Sequence, residues 1–166
     1  MLFRSKGRFE LINVNGRISA EPTDGHEVVV EAQRTAKGSS DEAAKELLAK
    51  LEIREEVSDS SVRVESRPPR LSGLSVGHEI EWTIKVPKGV VIDLRTTNGG
   101  VRLQRLSNEI HAKTTNGGVK GDELTSTVVE AKTVNGGVEL VFNTPLTANH
   151  SVEMESVNGG VSLDLP

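Results

Sequence analysis

Thr96-Thr97-Asn98-Gly99-Gly100-Val101-Arg102-Leu103 is the stretch whose reading decides the fold. Its centre, Asn-Gly-Gly-Val, returns at Asn116-Gly117-Gly118-Val119, Asn135-Gly136-Gly137-Val138 and Asn158-Gly159-Gly160-Val161, with successive asparagines 18, 19 and 23 residues apart. A degenerate copy, Asn15-Gly16-Arg17-Ile18, lies near the N-terminus. Identical tetrapeptides at a near-constant interval mark a repeat architecture, in which each unit buries its apolar face only by stacking on the next.

The flanks repeat as well. Ile92, Ile110, Val129 and Val152 lie six residues before each Asn; Leu94, Ala112, Ala131 and Met154 lie four before; Thr96, Thr114, Thr133 and Ser156 lie two before. Val101, Val119, Val138 and Val161 follow at three after, then Leu103, Gly121, Leu140 and Leu163 at five after. Polar residues fill the gaps: Asp93, His111, Glu130 and Glu153, then Arg95, Lys113, Lys132 and Glu155. This period-2 alternation is that of strands buried on one face. In the early copy Phe9, Leu11, Asn13, Ile18 and Ala20 stand at the corresponding positions.

Each unit therefore reads as strand, tight Asn-Gly-Gly turn, strand and short return. Stacked as coils of a right-handed β-solenoid or β-helix-like fold, equivalent residues would lie about 4.8 Å apart in parallel ladders. The alternative is an antiparallel meander or sandwich, each Asn-Gly being a type I′ hairpin. A hairpin explains Asn-Gly but not the recurrence of the second Gly, the Thr or Ser before it and the Val after it. Stacking explains all of these, since an Asn can bond the next Asn and Gly supplies the positive φ of a sharp corner. The structural turn set is thus Asn15, Gly16, Asn98, Gly99, Gly100, Asn116, Gly117, Gly118, Asn135, Gly136, Gly137, Asn158, Gly159 and Gly160.

Composition agrees with regular layers of small side chains. Of 166 residues 35% are hydrophobic, with one Trp, three Phe and no Tyr, so few large anchors are available. The length suits a single domain: an N-terminal part, 1–89, with strands and a helix over 39–51, and the repeats over 90–166. A net charge of −4 argues against nucleic acid, whose binders carry a basic footprint. Without Cys there are no disulfides, thiolate metal sites or cysteine nucleophiles. No apolar run is long enough to span a bilayer. The start, Met1-Leu2-Phe3-Arg4-Ser5-Lys6-Gly7, lacks the apolar stretch of a signal peptide, which leaves a cytoplasmic chain or one whose targeting segment lies elsewhere.

Outside the repeats, His26–Ala32, Ile53–Val57, Val62–Ser66 and Ile80–Val86 read as strands, and Pro68–Gly73 as a loop. Ser39 and Glu42 form a capping box for a helix carrying the stripe Ala44, Leu47, Leu48, Leu51. Such a helix could close one end of the stack, where unpaired strand edges invite aggregation. Leu163-Asp164-Leu165-Pro166 falls in mid-unit, so a continuation or a partner is expected beyond it.

Chemistry is sparse. No Lys-Ser/Thr follows the glycines as in a phosphate-binding loop. His26, His78, His111 and His150 show no metal-ligand spacing. Asp93, Glu130 and Glu153, with Asp122-Glu123 in a return loop, are the carboxylates that a polysaccharide-acting β-helix would use, but Arg95, Lys113 and Lys132 flank them and read as their ion-pair partners. Aromatic platforms for sugars are nearly absent, at 2% aromatic residues. Arg95, Lys113 and Lys132 form a basic stripe, interrupted by Glu155, that could touch an anionic polymer. Trp82 reads as core. No catalytic residue, cofactor or metal ligand is assigned.

The strand pair around Val14-Asn15-Gly16-Arg17-Ile18, the capped helix, Ile84-Lys85-Val86-Pro87-Lys88-Gly89 and the Thr-x-Asn-Gly-Gly-Val units together resemble the bacterial "putative adhesin" domain family, a domain of unknown function of cell-envelope proteins. The resemblance covers essentially the whole chain. It implies a β-helix-like fold, an extracytoplasmic setting, and a role in adhesion or envelope stress; it implies no catalytic residues. The last interval, lengthened by Asn143-Thr144-Pro145-Leu146, departs from the pattern. Three functions follow as expectations: a non-enzymatic binding module for envelope glycan, lipid headgroups or another envelope protein; a polysaccharide-acting enzyme; and a stalk that self-associates end to end.

Overall fold

The computed structural model describes residues 2–4, 7–68 and 75–166, with side chains from 7 to 68 and from 77 onward. The expected loop at Pro68–Gly73 thus lies, beyond Pro68, outside the described residues. The protein is mainly β, with one helix and two mixed sheets. The strands are β1 (Leu2–Arg4), β2 (Arg8–Asn15), β3 (Ile18–Pro22), β4 (Glu27–Gly38), then, after helix α1 (Asp41–Lys50), β5 (Glu52–Val57), β6 (Ser61–Arg67) and β7 (Ser75–Val86). The repeats supply β8 (Val91–Asn98), β9 (Val101–Gln104), β10 (Ile110–Asn116), β11 (Val119–Leu124), β12 (Val128–Asn135), β13 (Val138–Phe142), β14 (Ser151–Asn158) and β15 (Val161–Asp164).

The two strands flanking each Asn-Gly turn enter different sheets. One sheet runs β14-β12-β10-β8-β2-β6-β5 and the other β1-β4-β7-β3-β9-β11-β13-β15. Strands of successive repeats pair in parallel and in register: Asn98 with Asn116, Asn116 with Asn135, Asn135 with Asn158, and Asn15 with Asn98. Asn-Gly hairpins would pair the flanking strands with each other; they are not found. The reason is local. Each inward Thr or Ser uses its hydroxyl on the carbonyl of the preceding unit's first glycine: Thr96 on Gly16, Thr114 on Gly99, Thr133 on Gly117 and Ser156 on Gly136, at 2.7–3.2 Å. That bond is available only between stacked units.

A further strand pair, unmarked by any Asn-Gly-Gly, belongs to the same stack. β6 lies beside β2 with Val62 opposite Phe9 and Val64 opposite Leu11, and β7 lies beside β3 with Trp82 opposite Ile18 and Ile84 opposite Ala20. Because β8 and β9 pair with the other sides of β2 and β3, the first unit in sequence sits second in space. The signal was the alternation Val62-x-Val64-x-Ser66 and Trp82-x-Ile84-x-Val86, which reads as ordinary strand without the corner motif.

The inward residues of both sheets form one apolar cluster, with Phe9, Leu11, Ile18, Trp82, Ile92, Leu94, Leu103 and Leu140 each 0–1% exposed. Gly121 occupies a leucine column, and the irregular end of β11 lets Leu124 fill the space; a Cβ on Gly121 would lie 2.7 Å from Leu124 Cδ1. Asp122 and Glu123 consequently belong to β11 rather than to a return loop.

The helix is shorter than 39–51 and its cap is shifted. Ser40, extended at φ −147°, accepts a bond from the Ala43 amide, so Ser39 and Glu42 form no capping box. Helix α1 joins β4 of one sheet to β5, the edge of the other, and packs on β4 and β7. Leu47 and Leu51 are buried there, outside the main cluster. The antiparallel strands β5 and β4 cover that end together with the helix.

Candidate interaction surfaces

The corner is the most regular part of the molecule. Asn158 donates to Asn135, Asn135 to Asn116, Asn116 to Asn98 and Asn98 to Asn15, each side chain amide to the side chain oxygen before it, at 2.7–2.8 Å. Asn15 in turn donates to His78 Nε2 at 3.2 Å. Burial holds the His78 pKa below its ordinary value, which keeps the ring neutral and able to accept this bond.

The two glycines of each corner differ in role. Gly99 and Gly117 have φ +148° and Gly136 +152°, and a Cβ on any of them would meet the preceding first glycine's carbonyl oxygen at 2.2 Å. No side chain fits. The second glycines, Gly100, Gly118 and Gly137, show no such φ, and a Cβ there would lie 3.0–3.4 Å from the next carbonyl. Arg17 stands at this position in the N-terminal unit, so the backbone tolerates a side chain. Gly100, Gly118, Gly137 and Gly160 form the floor of a shallow groove of about 620 Å³, with Arg17 at one end and Arg102, Lys120, Glu139 and Ser162 alongside. Arg102 lies 3.8 Å from Asp122 and Lys120 3.3 Å from Glu139, while Arg17 is exposed with no ion pair among the described residues.

On the outer face of the other sheet the stripe Arg95, Lys113, Lys132 is brought together in register, and each cation is paired. Arg95 holds Asp93 at 3.0 Å, Lys113 holds Glu130 at 3.0 Å, and Lys132 reaches Glu130 at 3.1 Å, Glu153 at 2.7 Å and Glu155 at 3.5 Å. Asp93, expected on the exposed face, has its side chain 2% exposed beneath Arg8 and Arg95. Burial alone would raise its pKa; hydrogen bonds from Arg95 and Arg8 outweigh that and lower it. Glu130 is the hub, accepting from His111, Lys113 and Lys132, and its pKa falls to about 2 chiefly through the His111 bond. His111 lies 2.8 Å from Glu130 and 3.0 Å from Glu109; burial disfavours its charge, but the two carboxylates prevail and raise its pKa.

The other histidines lie apart: His150 turns back on Thr147, and His26 is exposed. Among the described residues no three His, Asp or Glu side chains are grouped to hold a metal ion. Trp82 is core, 1% exposed. Asn108, which the sequence did not single out, is buried and donates to Pro87 O and Val90 O at 2.8 Å, fixing the turn before β8. Only its fit against a distant turn identifies it.

The edge strands β14 and β15 differ from their neighbours. Val161 is 55% and Leu163 40% exposed, where Val138 and Leu140 in the adjacent strand are 1% and 0%. Glu153 and Glu155 side chains are 61% and 59% exposed and share Lys132.

No family model matches the sequence, and no curated protein sequence matches it. Among solved structures, the chain is similar to a protein described as a putative cell adhesion protein from Clostridium sporogenes, with a TM-score of 0.64 and 14% identity over 100% of this chain and 98% of that one. A second structure, described as a putative adhesin from Bacteroides fragilis, aligns over 98% of this chain and 95% of that one at 10% identity and a TM-score of 0.32. At such identities the Clostridium likeness is one of fold.

Proposed function

We propose that the chain is a non-enzymatic, right-handed β-solenoid module of a bacterial cell-envelope protein, serving adhesion or the envelope-stress response outside the cytoplasm. The observation that carries this reading is the unbroken parallel register from Asn15 to Asn158, which sets each outward side chain in a column at strand pitch. A surface repeated at fixed pitch suits a polymer with its own repeat, because weak contacts add through avidity. The fold shared with a protein described as a putative cell adhesion protein supports the assignment.

The contact surface in this reading is the corner groove. Its floor carries no side chains, and Arg17, exposed with no ion pair among the described residues, favours an anionic polymer such as an acidic envelope glycan, whereas Arg102 and Lys120 already hold Asp122 and Glu139. The Arg95, Lys113, Lys132 stripe is a weaker candidate because its charges are already taken up by carboxylates. A glycosidase needs two carboxyl groups about 5 to 9.5 Å apart across the sugar; the groove is lined by one, Glu139, which Lys120 holds.

Retention on immobilised heparin, used as a polyanion, tests the proposal against a neutral dextran control. Salt-sensitive retention is expected on heparin alone, weakened by Arg17→Ser with Gly118→Gln and unchanged by Lys113→Gln. Equal retention of all variants would remove the groove from the reading. Release of reducing ends from a polysaccharide by the purified chain would overturn the non-enzymatic assignment.

A further inference from the structure

In the register of the stack like charges stand directly opposite: Glu10 with Asp93, Glu130 with Glu153, and Arg95, Lys113 and Lys132 in a row. The acids are neutralised diagonally by cations of the neighbouring column: Arg8 on Asp93, Arg95 on Glu10, Lys113 on Glu130 and Lys132 on Glu153. At β14 this pattern is left half complete. Glu153 and Glu155 project from the same face, more than half exposed, and their sole cation among the described residues is Lys132 on β12. The apolar residues that alternate with them, Val152 and Met154, are only partly buried against the core, and Val157 is 65% exposed. Asn158 donates down the ladder, but among the described residues no amide donates to its own side chain oxygen.

We propose that the outer edge of β14 receives an extended strand from a partner polypeptide in which apolar and basic residues alternate. The partner's apolar side chains would cover Val152 and Met154, its basic side chains would stand opposite Glu153 and Glu155, and an Asn or Gln following them would donate to Asn158. Strand addition of this kind takes affinity from main-chain hydrogen bonds and specificity from alternate side chains. The same acids decide against a second copy at this edge. Pairing β14 with β14 would bring four carboxylates together, and like charges opposite one another destabilise a strand pair. At the far end of the sheet that holds β14 the outer strand is β5, whose exposed Glu52, Glu55 and Glu56 oppose head-to-tail stacking on β14 in the same way.

The test uses the chain and two blocked peptides, Ser-Val-Lys-Val-Lys-Thr-Val-Asn and the same sequence with Glu in place of both Lys. Calorimetric titration should show the basic peptide binding at least about tenfold more tightly, with the advantage shrinking as salt rises. Amide exchange should slow along 151–158. Glu153→Gln with Glu155→Gln should abolish the preference, and Glu153→Lys with Glu155→Lys should reverse it, the fold of each variant being checked by circular dichroism. Equal binding of the two peptides, protection elsewhere on the chain, or sedimentation showing dimers joined through β14 would overturn the proposal. None of these outcomes bears on the groove, whose residues lie in other columns.

Discussion

The regular stack from β8 to β15 and the N-terminal region from β1 to β7 solve the same problem by different means. In the stack, one small set of residues is used repeatedly, and each corner is held by an Asn side chain and a Thr or Ser hydroxyl bonded to the unit before it. In the N-terminal region each bond is used once. Asn13 fills the threonine column and donates to Gly16 O and Ile80 O while accepting from Ser66 Oγ, and His78 takes the place of an asparagine at the ladder's end. Repetition spreads the stabilisation over equivalent positions; the irregular region concentrates it in a few. Single substitutions should therefore be felt most where an interaction has no copies, or where no side chain fits at all.

The largest effect is expected at a first glycine. Gly117→Ala places a Cβ 2.2 Å from the Gly99 carbonyl at φ +148°, and should cost at least about 3 kcal/mol in the urea midpoint. Gly118→Ala, one residue on, should cost under about 1 kcal/mol, because Arg17 already shows a side chain at that position. Equal losses would mean that the two glycines are not distinct. Asn13→Ala removes the amide from Ile80 O and the acceptor of the Ser66 hydroxyl in the buried N-terminal region, Gly16 O keeping its bond from Thr96, for a loss of about 2 to 4 kcal/mol. Thr114→Val, which leaves one carbonyl unpaired in the stack, should lose about 1 to 2 kcal/mol; a loss as large as that of Asn13→Ala would erase the contrast between the regions.

The charged face gives smaller, pH-dependent effects. Glu130 has its pKa depressed to about 2, so its contribution is full above its unfolded value and disappears as pH falls through the folded one. Glu130→Gln should cost about 1 to 2 kcal/mol near neutrality, with the difference shrinking steadily as pH falls toward about 2, read from melts across that range. His111 has a raised pKa, so its contribution is full below about pH 6.5 and is lost as pH climbs through the higher folded value. His111→Gln should flatten that decline, a change on the order of 0.5 kcal/mol; a stability profile that rises across the same interval would contradict the clamp.

The stack was legible in the sequence because each of its corners demands the same residues: Asn98, Gly99 and Thr96 identify their equivalents three more times. What the sequence concealed depends on partners distant along the chain. Ser66 and Val64 belong to the stack by pairing with β2, more than fifty residues earlier, and no corner motif announces it. Asp93 reads as a surface acid until Arg8, from another strand, closes over it. The helix cap moved by one residue because Ser39 and Ser40 offer the same hydroxyl, and only the backbone conformation selects between them. The basic stripe was legible as a column, but its neutralisation by Glu130, Glu153 and Glu155 depends on cross-strand register.

The displaced position of the first unit has a consequence for synthesis. β2 and β3 lie between β6–β7 on one side and β8–β9 on the other, so this segment must wait until the chain has been made as far as Gln104 before both its neighbours exist. Growth by addition from the N-terminus, the simplest route for a repetitive fold, is closed to it. The later repeats each find a neighbour within one interval of sequence, and local contacts form faster than distant ones. Order should therefore arise first near β10 and β12 and reach the N-terminal strands last, so that in a pulse-labelled refolding experiment the amides of β2 gain protection after those of β12.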